Sequence, residues 1–332
     1  MKKQFAFFST LALVGWCIYR DKKYPLAKGY RLFNKVIFNG NMINNGTLKL
    51  ANKILSHKKS PKVPQELIRD QIKIKTRDQQ EITLSIYKEK NKKEKSPCLT
   101  YFHGGGFFLK DDPYIHKIVM QYALQAKCIV VFVHYRTSDE YPFPIPFYDC
   151  CDSLKYIWEN AKELNIDQNK IAIGGDSAGG ALAATCSHWC KKQQIPLCFQ
   201  MLIYPVIDKR MNTKSTFKYQ DAPLWNSSMS KKMWDIYLRN GIKEKEEYAS
   251  PILAHDFSEL PMAYIEVSEF DSLYDEGKNY ANILKENHVP VELCKIKGGF
   301  HGFDVLENTS LTKKAMNKRC QVLYDRFYKK GL

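Results

Sequence analysis

The chain has 332 residues, of which 44% are hydrophobic and 26% charged, a balance that excludes a disordered, collagen-like or coiled-coil protein. Its formal net charge of +16 is typical of nucleic-acid-binding proteins, but residues 1–100 hold 22 Lys and Arg against 7 Asp and Glu, and the rest of the chain holds 29 against 28. Because no base- or phosphate-reading motif accompanies this excess, the sequence predicts no nucleic-acid partner.

The first predicted element is an apolar run at residues 5–19, with lysines before it and three basic residues soon after it. Fifteen helical residues span about 22 Å, less than a hydrocarbon core of about 30 Å. Since no small-residue cleavage site follows, the run favours a helix on or anchored in a membrane over a cleaved signal peptide; a helix packed on the protein itself is the other alternative. If the run does span a membrane, the denser basic residues on its C-terminal side predict that the protein body lies on the cytoplasmic side.

Beyond this N-terminal segment of residues 1–24, residues 25–66 predict one or two amphipathic helices, which we assign to a cap. Short apolar strand patterns then alternate with helical patterns, which predicts a mostly parallel eight-stranded sheet with helices on both faces, opened by an antiparallel hairpin. Strands are predicted at 70–76, 81–88, 97–103, 128–134, 170–175, 198–204, 262–267 and 291–296. Helices are predicted at 114–126, 149–165, 178–192, 275–288 and 311–328.

One stretch interrupts the alternation. Residues 209–250 are too long for a single crossover helix and carry Trp225, Trp234 and Tyr237 among many lysines. We interpret the stretch as a helical cap inserted into one α/β catalytic domain of residues 67–332.

Three consecutive glycines follow His103 at the end of the third predicted strand. Glycine backbone can approach a substrate closely and offer N–H donors that no side chain obstructs. Such donors stabilise the oxyanion of a tetrahedral intermediate, an effect worth about 3 kcal/mol for each donor. The pattern therefore predicts Gly105 and Gly106 as oxyanion-hole donors, with His103 orienting the loop.

The strongest chemical signal is Gly175-x-Ser177-x-Gly179, directly after the strand predicted at 170–175. This spacing is typical of a nucleophile elbow, a sharp strand-to-helix turn that exposes the serine hydroxyl. It fits neither a dinucleotide-binding loop nor a P-loop. The sequence predicts Ser177 as a nucleophile and the N–H of Ala178, at the N-terminus of the next helix, as a third oxyanion donor.

A serine nucleophile on this kind of sheet needs an acid and then a histidine further along the chain. Asp271 follows the seventh predicted strand and His301 follows the eighth, at the edge where the carboxyl ends of parallel strands meet. His301 is the predicted general base, and Asp271 would orient its ring and stabilise its cation. Glu269 is the rival acid.

The ten cysteines show no CxxC spacing and no zinc-binding pattern, so they favour a reducing compartment and buried thiols. The sequence predicts neither a metal ion nor an organic cofactor.

Four motifs together resemble the hormone-sensitive-lipase-like family of α/β-hydrolase carboxylesterases. They are HGGGF at 103–107, GDSAGG at 175–180, EFDSLYDEG at 269–277 and GGFHGF at 298–303. The resemblance covers roughly residues 65–330. It implies an α/β-hydrolase fold with a helical cap and hydrolysis of short- to medium-chain carboxylic esters without a cofactor. Carried over by position, it implies the catalytic residues Ser177, Asp271 and His301 and the oxyanion donors Gly105, Gly106 and Ala178.

Two further comparisons with the family concern the N-terminal third and one loop. The short apolar N-terminal run is similar to the arylacetamide-deacetylase-like, membrane-associated branch. The segment at 135–144 also resembles the family's YRLAPExPFP motif, but it has Thr137-Ser138-Asp139 where Leu-Ala-Pro is usual. The alternatives left by the sequence are an amidase or N/O-deacetylase with the same catalytic residues, and a non-catalytic small-molecule receptor on this scaffold.

Overall fold

Eight strands form one sheet in the part of the chain that a computed structural model describes, residues 16–92 and 94–329. The sheet order is β1-β2-β4-β3-β5-β6-β7-β8; β2 runs antiparallel to its neighbours β1 and β4, and the pairs from β4 onward are parallel. The strands are β1 (Leu67–Lys75), β2 (Glu81–Glu89), β3 (Ser96–Phe102), β4 (Ile129–His134), β5 (Ile166–Asp176), β6 (Phe199–Ile203), β7 (Ala263–Phe270) and β8 (Val291–Phe300).

Helices cover both faces of this sheet. On one face α3, α4 and α8 pack with the residues of the larger apolar cluster, and on the other α2 and α9 pack with the residues of the second cluster. A helical segment at residues 16–23 comes first and is not numbered. The numbered α-helices are α1 (Asn45–His57), α2 (Pro113–Gln125), α3 (Ile145–Glu159), α4 (Ala178–Lys192), α5 (Lys214–Lys218), α6 (Ser227–Tyr237), α7 (Glu246–Ala249), α8 (Tyr274–Glu286) and α9 (Ser310–Tyr328).

The predicted fold class is confirmed, including the opening hairpin and the parallel order of the central strands. Strands β3 and β6 are buried along their whole length, which explains why their sequences are mostly apolar. The covering helices shield both faces of the sheet, so such strands have no solvent-facing side on which a polar residue would be favoured.

The predicted bounds of one helix and the predicted start of the strand after it are wrong. The helix predicted at 149–165 begins earlier, at Ile145, and already ends at Glu159. A tight turn follows, in which Asn165 has a positive φ of 59° and the N–H of Ile166 donates to the Ala161 carbonyl at 2.7 Å. Strand β5 consequently begins at Ile166, four residues before its predicted start.

The N-terminal layer, by which we mean residues 16–62, lies on the inserted residues 209–250. It consists of a helical segment at 16–23, two 3-10 turns (Arg31–Lys35 and Gly40–Met42) and α1. The insertion carries α5, α6 and α7. Backbone and side-chain hydrogen bonds join the two, such as Leu224 N–H to the Val36 carbonyl at 3.0 Å and Asn226 Nδ2 to the Phe38 carbonyl at 2.7 Å.

Ion pairs join the helical segment at 16–23 to the same insertion. Arg20 is buried and donates to Asp221 at 2.7 Å, and Lys23 and Tyr24 also donate to the carboxylate of Asp221. Most of the predicted apolar run at 5–19 lies outside the described residues. Among the residues that the structure describes, no helix combines the length and the apolar character needed to cross a bilayer.

Candidate active site

Ser177 occupies a strained turn between β5 and α4. Its backbone has φ 54° and ψ −119°, a conformation that non-glycine residues rarely adopt. The turn is possible because α4 approaches the end of β3 very closely: a Cβ on Gly179 would lie 2.6 Å from the His103 carbonyl oxygen and closer still to that of Phe102. The strand-to-helix geometry thus has the features of a nucleophile elbow.

The structure brings Ser177, His301 and Asp271 into one hydrogen-bonded chain. The Ser177 hydroxyl donates to His301 Nε2 at 2.8 Å, and His301 Nδ1 donates to Asp271 Oδ2 at 2.7 Å. Because a carboxylate can only accept, this second bond places the ring proton on Nδ1 and leaves the Nε2 lone pair facing the serine. All three side chains are buried. The arrangement can accept the serine proton during nucleophilic attack.

Glu269, the rival acid, points elsewhere. Its Oε2 accepts from the backbone N–H of Gly298 at 2.7 Å, which ties the end of β7 to the turn that leads to His301. Asp271 Oδ1 in contrast accepts from Leu273 N–H at 2.9 Å, so its other oxygen is held in place toward the histidine. The structure therefore brings Asp271, and not Glu269, into contact with His301.

The three predicted oxyanion donors lie on the two backbone turns beside Ser177. Gly105 and Gly106 have φ values of +112° and +61°, which side-chain-bearing residues adopt only with strain. Ala178 is the first residue of α4. Within residues 16–92 and 94–329, no protein acceptor takes the backbone N–H of these three residues. These N–H groups are therefore free to bind an anionic oxygen.

Asp176 holds the glycine loop, a role that its sequence pattern does not predict. Its Oδ1 accepts from Gly104 N–H at 3.1 Å and from the Tyr101 hydroxyl at 2.9 Å. Burial raises the pKa of Asp176 to about 6, and repulsion by the carboxylate of Asp304 adds to the rise. In the sequence, Asp176 is distinguished only by its position inside GDSAGG. It occupies a variable position of the Gly175-x-Ser177-x-Gly179 motif, so the motif itself assigns it no role.

The raised pKa of Asp176 predicts a pH-dependent stability. Between pH values of about 3.9, the ordinary carboxyl pKa, and about 6, the folded state keeps a proton that the unfolded chain has lost. The associated stability is complete below this window and is lost as pH rises through it. We expect Asp176→Asn, which stays neutral, to gain up to about 3 kcal/mol relative to wild type between pH 4 and pH 7 in urea unfolding.

The matched control is Asp167→Asn at the half-exposed start of β5. Its unfolding free energy should follow the wild-type pH profile. If the free energies of unfolding of wild type and Asp176→Asn changed with pH in parallel, the assignment of a raised pKa to the buried carboxyl of Asp176 would be contradicted.

His103 lies under the glycine loop. Its Nδ1 donates to the Gly104 carbonyl at 2.7 Å, and its ring stacks on Tyr135 with centroids 4.3 Å apart. Burial lowers the pKa of His103 to about 4, so the ring is neutral at pH 7. These contacts allow His103 to orient the glycine loop, and none of them joins His103 to Ser177.

A buried charge network supports the other side of His301. The ring of Tyr204 lies edge-on to the imidazole, with centroids 4.9 Å apart, and its hydroxyl donates to Asp304 at 2.6 Å. Arg319, on α9, donates to both Asp304 and Glu266. No sequence pattern predicts the buried position of Arg319, because a single arginine in an amphipathic helix ordinarily faces solvent.

Trp225, from the inserted segment, covers the site. Its ring centroid lies 5.8 Å from that of His301, and its Cη2 atom would be 2.9 Å from a Cβ placed on Gly106. The indole N–H donates to Ser230 Oγ at 2.9 Å, which holds the ring over the site. The sequence placed Trp225 in the cap but could not predict this contact.

The described residues offer no evident set of ligands for a metal ion. Among residues 16–92 and 94–329, no cluster of three or more His, Cys, Asp or Glu side chains is arranged to hold a metal ion. The chemistry that the site offers is that of a serine hydroxyl, an imidazole, a carboxylate and backbone N–H donors.

Comparisons with known proteins agree with this fold. A family model for the alpha/beta hydrolase fold matches residues 99–305. The chain is 32% identical over 289 residues to an arylesterase of Saccharolobus solfataricus, covering 84% of this chain and 92% of the arylesterase. It is 31% identical over 228 residues to the carboxylesterase NlhH of Mycobacterium tuberculosis, covering 67% of this chain and 71% of NlhH.

The solved structures lead to the same group of proteins. The esterase LipW from Mycobacterium marinum superposes with a TM-score of 0.78 at 25% sequence identity, covering 91% of this chain and 96% of LipW. Fold, motif order and relatives agree along most of the chain. The chain therefore belongs to the α/β-hydrolase-fold family, in its hormone-sensitive-lipase-like group, and is a carboxylic ester hydrolase.

Proposed function

We propose that the chain is a serine carboxylesterase that hydrolyses short- to medium-chain esters through an acyl-enzyme on Ser177. The observation that carries the proposal is the hydrogen-bonded chain from Ser177 through His301 to Asp271. It supplies a nucleophile, a base with a free lone pair and a carboxylate that stabilises the imidazolium.

The first half of the reaction forms the acyl-enzyme. Ser177 Oγ attacks the ester carbonyl carbon while His301 Nε2 takes the hydroxyl proton. The carbonyl oxygen becomes an oxyanion, which the N–H groups of Gly105, Gly106 and Ala178 bind. When the C–O bond to the alcohol breaks, His301 returns its proton to the leaving oxygen, and the acyl group stays on Ser177.

The second half releases the acid. Water, whose proton His301 accepts, attacks the acyl carbon, and the same N–H donors bind the second oxyanion. Collapse of this intermediate breaks the bond to Ser177 Oγ, which recovers its proton from His301. Asp271 remains ionised throughout and stabilises the imidazolium in both halves.

The preference for smaller esters rests on the cap. Trp225 lies over both His301 and Gly106, and Ser177 and His301 are only 6% and 7% exposed. A long acyl or alkyl chain must therefore displace the indole ring or pass beside it. Small groups fit with less disturbance of the cap.

A p-nitrophenyl ester series from acetate to palmitate tests the proposal. We expect wild type to hydrolyse the short esters best, and Trp225→Ala to raise the ratio of kcat/KM for the decanoate to that for the acetate by about tenfold, because space opens above His301. Trp158→Ala on α3, a half-buried tryptophan away from the site, is the matched control and should leave the ratio unchanged.

Two outcomes would count against the proposal. If wild type hydrolysed none of the esters, it would not be a simple carboxylesterase, and p-nitroanilides and acetylated sugars would test the amidase and deacetylase alternatives. If Trp225→Ala kept the wild-type ratio, the ring would not limit chain length. A receptor without activity would bind the esters and release no p-nitrophenol.

A further inference from the structure

The N-terminal layer exposes an unusual amount of apolar surface. Of the fourteen large apolar side chains that are exposed in the described part of the chain, ten lie at residues 16–54. Leu32 is 79% exposed, and Leu50 and Ile54 are 60% and 54% exposed. A concentration of this kind on one segment marks an interaction surface, because single exposed apolar residues are otherwise scattered.

The same layer is strongly basic. Residues 16–62 contain eleven Lys and Arg and a single acidic residue, Asp21. Arg20 and Lys23 are paired with Asp221, and Lys58 with Asp112. No carboxylate of the described residues lies within ion-pair distance of four other exposed cations, Lys22, Lys28, Lys49 and Lys53.

Helix α1 combines both properties on its outer side. Its inner side is tied down through Asn52, which donates to the Phe108 carbonyl at 2.8 Å and accepts from Lys110 N–H at 2.9 Å. Leu50 and Ile54 are four residues apart and so share the outer side. Lys49 and Lys53 have the same spacing and are also exposed. Apolar side chains bordered by lysines are typical of helices that lie in a membrane interface.

The layer also adjoins the segment that covers the active site. The Val36 carbonyl accepts from Leu224 N–H, and Asn226 donates to the Phe38 carbonyl. These two bonds flank Trp225. Val36 and Phe38 are themselves 37% and 39% exposed. The apolar face therefore continues to the residues immediately around the cover of the site.

From these observations we propose that the N-terminal layer docks on the surface of a bilayer that contains anionic phospholipid. The exposed apolar side chains enter the boundary between headgroups and acyl chains, and the unpaired lysines contact the lipid phosphates. The charge decides between occupants: a second copy of the chain would oppose its own basic layer to this one, whereas an anionic headgroup layer complements it. Docking of this kind needs no membrane-spanning helix.

Vesicle sedimentation with the full chain tests the proposal. We expect binding to vesicles of phosphatidylcholine and phosphatidylserine at 0.1 M salt, weaker binding at 0.5 M salt, and little binding to phosphatidylcholine alone. Each basic residue near such a surface contributes about fivefold to the binding constant. Lys49→Glu/Lys53→Glu should therefore lower it by about 25-fold or more, and Leu50→Ser/Ile54→Ser by at least tenfold.

Matched pairs on α9 serve as controls. Lys313→Glu/Lys314→Glu removes exposed lysines and Tyr324→Ser/Tyr328→Ser removes exposed aromatic residues four apart, and both should bind like wild type. Hydrolysis of p-nitrophenyl acetate by every variant shows that it is folded, and it does not depend on docking.

Three results would overturn the proposal. One is wild-type binding by both α1 variants, which would place any membrane contact outside this layer. Another is equal binding to neutral and anionic vesicles. The third is a concentration-dependent dimer in analytical ultracentrifugation that Leu50→Ser/Ile54→Ser abolishes, which would make the layer an interface between copies.

Discussion

Replacement of Ser177 by alanine is expected to lower kcat/KM for p-nitrophenyl butyrate by about 10⁴-fold or more. The hydroxyl is the atom that would carry the acyl group, and no other oxygen nucleophile contacts His301 Nε2 in the described structure. The fold should persist because, among the described residues, the removed oxygen hydrogen-bonds only to His301. Steady-state hydrolysis and thermal unfolding together measure the two effects.

Ser187→Ala on α4 is the matched control. Ser187 is also a buried serine of this helix, but its hydroxyl donates to the Ala183 carbonyl at 3.0 Å, within the helix. We expect wild-type kinetics from this variant. If Ser177→Ala retained full activity with an unchanged fold, another group would have to be the nucleophile.

Replacement of Gly179 by alanine is expected to destabilise the protein by about 3 kcal/mol or more and to inactivate the folded remainder. The added Cβ would overlap the backbone carbonyls of Phe102 and His103, and neither can move without shifting β3 against α4. Such a shift would change the spacing between Ala178 and the glycine loop. A misplacement of about 1 Å at a reacting group can reduce the rate about 10²-fold.

Gly46→Ala in the first turn of α1 is the control for this prediction. A Cβ at Gly46 would meet only the side-chain oxygen of Asn44, at 3.3 Å, and alanine suits a helix better than glycine. Its unfolding free energy should match or exceed that of wild type. A Gly179→Ala protein with wild-type stability and activity would show that α4 and β3 are packed less closely than described.

Much of the fold could be predicted because the pattern of apolar residues along the chain matches the burial of those residues in the structure. The central strands β3 and β6 are buried along their length, so an apolar run in the sequence is sufficient to recognise them. The predicted end of α3 is wrong because the side-chain pattern and the backbone structure disagree at that point. Residues 160–165 keep a helical pattern of side chains, but a turn closed by Ile166 N–H on Ala161 begins β5 instead.

The chain order of the motifs predicted the principal site residues. Ser177, Asp271 and His301 each follow a parallel strand, and the carboxyl ends of parallel strands meet at one edge of a sheet. Their mutual distances of 2.8 and 2.7 Å, and the choice of Asp271 over Glu269, required the structure. A two-residue shift in the turn after β7 would place Glu269 where Asp271 now faces the histidine, and composition cannot distinguish these cases.

The sequence by itself determined the α/β class, the order along the chain of the turns that carry the predicted catalytic residues, and the basic, apolar character of the N-terminal third. These properties reside in residue type and spacing along the chain. Only the tertiary structure decided that Asp176 holds the glycine loop, that Arg319 is buried beneath Tyr204 and that Trp225 covers His301. Those contacts join residues far apart in the chain, and they depend on how helices, cap and sheet pack in three dimensions, which no local pattern records.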